Sequence, residues 1–156
     1  MNELENMRHT LSHVLAAAVK ELYPDVKFGI GPAIDNGFYY DIDFGSTKLS
    51  DTDLPKIEKK MRELIARKLP MTKRSISRTD ALKWAKDNNQ DYKVELIEDL
   101  PEDEEVTFYD LGDVFVDHIA QALGTGFGRQ GQRGLAHLLG LLQGIGEHVV
   151  DALGRQ

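Results

Sequence analysis

Apolar residues recur at Leu4, Met7, Leu11, Val14, Leu15, Ala18 and Leu22. That spacing predicts one amphipathic helix from about Glu3 to Tyr23, stopped by Pro24. His9 and His13 fall away from the stripe, alongside Ala16 and Lys20, so they face water or a second surface. The period then changes. The run VKFGIGPAIDNGFYYDIDF predicts a hairpin turning at Asp35-Asn36-Gly37, its second strand alternating Phe38, Tyr40, Ile42 and Phe44 with Tyr39, Asp41 and Asp43.

Helical spacing returns with Leu54, Ile57, Met61, Leu64 and Ile65, which predict a helix to about Lys68, with Ser50 as a capping candidate and an acid three residues on. A short strand follows at Met71 to Ile76, then a helix capped by Ser77 or Thr79, with Leu82, Trp84 and Ala85 in its body. Lys93 to Ile97 is too short for its period to decide between strand and helix. After an acidic loop at Glu102 to Glu105, Val106 to Tyr109 and Val114 to Asp117 predict two strands around Leu111-Gly112-Asp113. Helices and antiparallel pairs without regular βαβ alternation make the expected class α+β, an antiparallel sheet packed with helices.

The pattern breaks after Asp117. The last 39 residues hold nine of the 14 glycines, no lysine and only two acids, whereas the first 117 hold 24 acids and 16 basic residues. GTGFGRQGQRG reads as a flexible linker. Beyond it, Leu135, Leu138, Leu139, Leu142, Ile145, Val149 and Leu153 keep helical spacing, but Gly140, Gly144 and Gly146 would each cost such a helix about 1 kcal/mol. The division expected is therefore 1–117 as a domain and 118–156 as an aberrant or fused tail.

Composition narrows the chemistry. There is no cysteine among the 156 residues, which removes thiol nucleophiles and every zinc site that needs sulfur. No long apolar run or basic-then-apolar leader is present, so the expectation is a cytoplasmic protein without membrane partners. A net charge of -7 argues against a general nucleic-acid binder, yet nine basic residues stand against two acids between Lys56 and Arg78. That run is either a solvated helix face or a local RNA-facing patch.

His9 and His13, four apart on one helix, support three readings. They are half of a zinc site, completed from Asp117, His118, His137 or His148; an exposed pair with no role; or part of a metal-free pocket in which imidazoles orient a water or the substrate.

The runs RHTLSHVLAAAVKELYPDVKFGIGPAIDNGFYYDID, YKVELIEDLPEDEE and GDVFVD, in this order, resemble the editing domain near the N-terminus of bacterial threonyl-tRNA synthetases. The resemblance covers about Met7 to Asp117 and combines an HxxxH pair with IGP, GFYYD, YKxEL and FVD segments. It implies that fold and a hydrolase that clears seryl-tRNA(Thr). Serine lacks only a methyl of threonine, which gives a binding site about 1–3 kcal/mol of discrimination. It further implies catalytic or pocket-shaping roles for His9, His13, Lys93 and Asp117, contact of Tyr40 with the terminal adenosine of the tRNA, and no resident cofactor, ATP being used only by a ligase domain that these residues do not include.

After FVD the family carries a CxxxH segment, and here Ile119 and Leu123 occupy those two positions. Aliphatic groups cannot make the hydrogen bonds of a thiol and an imidazole. The expectation is thus an impaired editing domain, with an inactive truncated or frameshifted fragment and a free-standing misacylated-tRNA deacylase as alternatives.

Overall fold

The computed structural model describes residues 3–31, 33–34 and 37–114. Helix α1 (Glu3–Leu22) has Glu3 and Glu5 in its first turn and Lys20 in its last, each charge matched to the helix dipole there. Pro24 follows two residues after its end, as the stripe predicts. The burial is wider than the stripe. Every residue from Leu11 to Val19 is buried, Ser12 and His13 included, so this half of α1 is enclosed on all sides. Leu4, the first residue of the expected stripe, is instead 45% exposed.

Three neighbours enclose α1. The first is helix α2 (Leu54–Ala66), which buries Ile57, Met61 and Leu64 as its spacing requires. Its N-cap is Asp53 rather than Ser50; Ser50 uses its backbone N–H and hydroxyl to hold the Asp53 carboxylate. The second neighbour is the hairpin, a ladder in two parts. Strand β1 (Lys27–Phe28) pairs with β4 (Ile42–Asp43), and β2 (Ala33–Ile34) pairs with β3 (Gly37–Phe38). Between them Asp41 takes the Gly29 N–H on its carbonyl and gives its own N–H to Ile30. The register shifts there by one residue, the mark of a bulge, which replaces the continuous second strand that the alternation predicts.

The third neighbour is strand β6 (Glu105–Leu111), paired antiparallel over seven residues with β5 (Met71–Ser77). Ser77 settles the choice of cap: its hydroxyl accepts the Asp80 N–H at 3.1 Å and opens α3 (Arg78–Asp87). Lys93 to Ile97 belongs to helix α4 (Asp91–Glu98), because the Gln90 carbonyl accepts the N–H groups of Lys93 and Val94 and starts a helical ladder. Arg78 closes that helix by donating to the carbonyls of Ile97 and Glu98. A second core of Ala81, Ala85, Ile97, Val106 and Phe108 fills the space between α3, α4 and the ribbon. Strand β6 therefore serves two cores, turning Val106 and Phe108 to one and Leu111 to the other.

The α+β class stands: the described residues form four helices and three two-stranded antiparallel sheets. Six of the nine basic residues in the run are engaged within the fold. Lys56, Lys60, Arg62, Arg67 and Arg74 pair with Asp53, Glu21 and Glu63, Glu58, Glu21 and Asp113, and Asp110 respectively, while Arg78 is spent on helix carbonyls. Among the described residues no helix is long and apolar enough to cross a membrane. The expected boundary at 117 and the tail beyond it lie outside the described residues.

Candidate functional site

The i,i+4 spacing on α1 brings the two imidazoles together. The Nε2 atoms of His9 and His13 are 3.2 Å apart, with ring centroids at 4.7 Å and ring planes 69° apart. A nitrogen–nitrogen contact of this length holds one hydrogen, so one ring donates and the other accepts. Protonating both rings would set two N–H groups against each other. Local hydrogen bonding helps to hold this part of the helix: the Ser12 hydroxyl, fully buried, donates to the His9 carbonyl at 2.7 Å.

Strand β6 closes the other side. Tyr109 lies 5.1 Å from the His9 ring, edge to face, and 5.0 Å from the His13 ring, tilted by 41°. His13 is only 1% exposed, and His9 is half-buried at the rim of this three-ring cluster. Burial pulls the His9 pKa below its ordinary value of 6.5, favouring the neutral ring. Near neutral pH such a ring can accept a proton or orient a water molecule.

Tyr40 stands on the hairpin side of the same core and is 4% exposed. Its ring meets Phe28 edge to face at 5.6 Å and lies across Gly31, where a Cβ would fall 2.3 Å from its Cδ2. Tyr40 is thus fixed between two hairpin residues. Beside it, burial raises the Asp41 carboxyl, and burial together with Asp41 raises the Tyr39 phenol.

Lys93, 1% exposed, is among the largest of the fully buried side chains of the described residues and sits in the first turn of α4, the helix that packs on β1. A lysine so completely enclosed is uncommon unless its charge is paired. Asp117 and the other expected zinc ligands, His118, His137 and His148, lie outside the described residues, as do Ile119 and Leu123. Among the described residues no third histidine, cysteine or carboxylate gathers with His9 and His13 into a metal-holding group. Zinc needs at least three protein ligands.

Two residues of the site escaped the sequence reading. By sequence Tyr109 is a strand end, and its alternation with Phe108 along β6 is the signal that its ring faces α1. Gln90 carried no signal, for a glutamine before a helix is ordinary. It is nevertheless buried, and its side-chain amide spans two backbone groups of the hairpin strand.

Comparison with known proteins finds relatives over most of the chain. The chain is 52% identical over 113 residues to a threonine–tRNA ligase of Clostridium novyi (strain NT), a match over 72% of the chain. It is 50% identical over 111 residues to one from Enterococcus faecalis and 49% identical over 109 residues to one from Listeria monocytogenes serotype 4a. In each case it spans only 17% of the relative's length. No family model matches the chain. Over that stretch the chain is homologous to threonine–tRNA ligases.

Proposed function

We propose that this chain, homologous over most of its length to one part of threonine–tRNA ligases, carries their editing fold and hydrolyses the ester of mischarged seryl-tRNA(Thr). The observation that carries the reading is the His9–His13 contact of 3.2 Å, with Tyr109 against both rings. A water molecule attacks the ester carbonyl, the bond from that carbon to the ribose oxygen breaks, and serine leaves with the ribose hydroxyl restored. His9, held neutral, orients the water or the neighbouring 2′-hydroxyl. Lys93 stabilises the negative charge that develops on the carbonyl oxygen. His13 fixes the His9 ring, and Asp117 shapes the pocket from the chain segment after β6. Tyr40 would meet the terminal adenosine by an edge, since Phe28 and Gly31 occupy its ring.

No resident metal or cofactor enters this scheme, and a cytoplasmic location accords with it. With Ile119 and Leu123 where the resembling family has a cysteine and a histidine, the rate falls below that of a complete site. The test is hydrolysis of seryl-tRNA(Thr) by the 156-residue chain, with His9→Ala and Lys93→Met compared after each is shown to fold by circular dichroism. Expected are turnover above the uncatalysed rate and its loss in both variants. No turnover at micromolar chain refutes the reading.

A further inference from the structure

We propose that Gln90 is a positioning residue for Lys93, the buried member of a three-residue clamp that fastens the start of α4 to the hairpin. Three consecutive side chains reach across. Gln90 accepts the Phe28 N–H at 2.9 Å and donates to the Val26 carbonyl at 3.2 Å; Asp91 pairs with Lys27; the Tyr92 hydroxyl donates to Asp43 at 2.9 Å. The next residue is Lys93, turned inward.

The three contacts differ in worth. Asp91–Lys27 and Tyr92–Asp43 are solvent-exposed, where such pairs contribute little. Gln90 is 3% exposed, and both of its hairpin bonds are buried, so losing them leaves a buried N–H and a buried carbonyl without their partner. The same residue also sets the helix. Its carbonyl accepts the N–H groups of Lys93 and Val94, and its own N–H bonds the Ala85 carbonyl of α3. Preceding it, Asn89 takes a left-handed turn at φ 55°, which brings the chain from α3 round onto β1. Gln90 therefore occupies the edge of β1 as a partner strand would, reading one N–H and one carbonyl, and Lys93 follows on the helix it starts. Phe28, the residue whose N–H it holds, packs its ring on Tyr40. One amide thereby sets the spacing between the helix of Lys93 and the hairpin of Tyr40.

This assignment rests on the hydrolytic reading for its catalytic consequence but not for its structural one. The experiment accordingly has two readouts on the full chain. The first is acetylation of Lys93 by an amine-reactive anhydride, followed by mass spectrometry at a concentration that leaves buried lysines of the wild type unmodified. In Gln90→Leu, which removes both hairpin bonds, the rate at Lys93 rises by at least about tenfold, the factor that even one lost hydrogen bond makes in a local opening equilibrium. Exposed Lys59 serves as the internal standard. The second readout is kcat and KM for seryl-tRNA(Thr), in which kcat falls by about a hundredfold, the scale of a small misplacement of a catalytic group, with KM little changed.

Gln90→Glu separates positioning from simple filling of space. Its protonated carboxyl can accept from Phe28 and donate to Val26 as the amide does, whereas the carboxylate faces the Val26 carbonyl with no hydrogen to give. Its Lys93 labelling, compared with that of Gln90→Leu at each pH, drops toward the wild-type level as pH falls. Lys27, Asp43, Asp91 and Tyr92, the ionisable neighbours on the hairpin and α4, are common to both variants. Equal Lys93 labelling in wild type and a folded Gln90→Leu overturns the proposal, as does a Glu variant that tracks the Leu variant at every pH. Absence of hydrolysis by the wild type would refute the proposed activity, while the labelling still decides the clamp.

Discussion

Substituting Gly31 by alanine tests the packing of the hairpin most directly. The added Cβ would lie 2.3, 2.5 and 2.7 Å from Cδ2, Cε2 and Cγ of Tyr40, where ordinary contact begins at 3.4 Å. The atoms in the way belong to a rigid ring, and that ring meets Phe28 edge to face. Overpacking of this kind costs about 1–3 kcal/mol, and an overlap of this depth against a closed-in ring belongs at the upper end, about 3 kcal/mol. For a domain near this size that is a fall of roughly 10 °C in the unfolding midpoint. Urea unfolding followed by the fluorescence of Trp84 measures it. The cause is isolated by a double-mutant cycle with Tyr40→Leu: when the ring is gone, Gly31→Ala loses most of its cost, giving a coupling of about 1–3 kcal/mol. A Gly31→Ala variant within about 0.5 kcal/mol of wild type, or an unchanged penalty in the Tyr40→Leu background, would show that the ring does not rest on Gly31.

Two further outcomes follow from named contacts. His9 has a folded-state pKa below its unfolded value, so the unfolded chain binds more protons in that window; the stability His9 contributes is whole above pH 6.5 and declines as pH falls below it. Thermal midpoints of wild type and His9→Gln should diverge between about pH 7.5 and about pH 5, and parallel curves would contradict the desolvated ring. Ser77→Ala removes the hydroxyl that accepts the Asp80 N–H and should cost about 1 kcal/mol in urea unfolding, while Thr79→Ala costs less; the reverse order would move the cap to Thr79.

Where structure depends on near neighbours, the chain announces it. The ends of α1, the inward residues of α2, strand β5 and the Ser77 cap all follow from period and from a capping residue in place. The His9–His13 contact is equally legible, since four residues along a helix place two rings side by side. What was hidden depends on residues far apart in sequence. The bulge at Gly29 and Ile30, which both bond Asp41, is set by pairing across the hairpin, and alternation alone cannot show an offset in pairing. Lys93 to Ile97 continues a helix that starts at Gln90, whose side chain is held by Val26 and Phe28, more than sixty residues earlier. Ser12, His13, Ala16 and Ala17 are buried off the apolar stripe because the hairpin and β6 cover that side of α1, and Tyr109 joins the histidines by the same route.

Strand β6 has a consequence for the making of the protein. It is the last described element to leave the ribosome, and both cores need it: one for Val106 and Phe108, the other for Leu111, with Tyr109 set against α1. Helix α1 emerges about a hundred residues before the ring that will cover His13 is synthesised. Until then its small and polar side, Ser12, His13, Ala16 and Ala17, has only the hairpin for a wall, and the first core stays open along the seam that β6 covers. Completion is therefore a single late event in which one ribbon shuts two compartments, so a chain stopped short of Glu105 would have neither core closed.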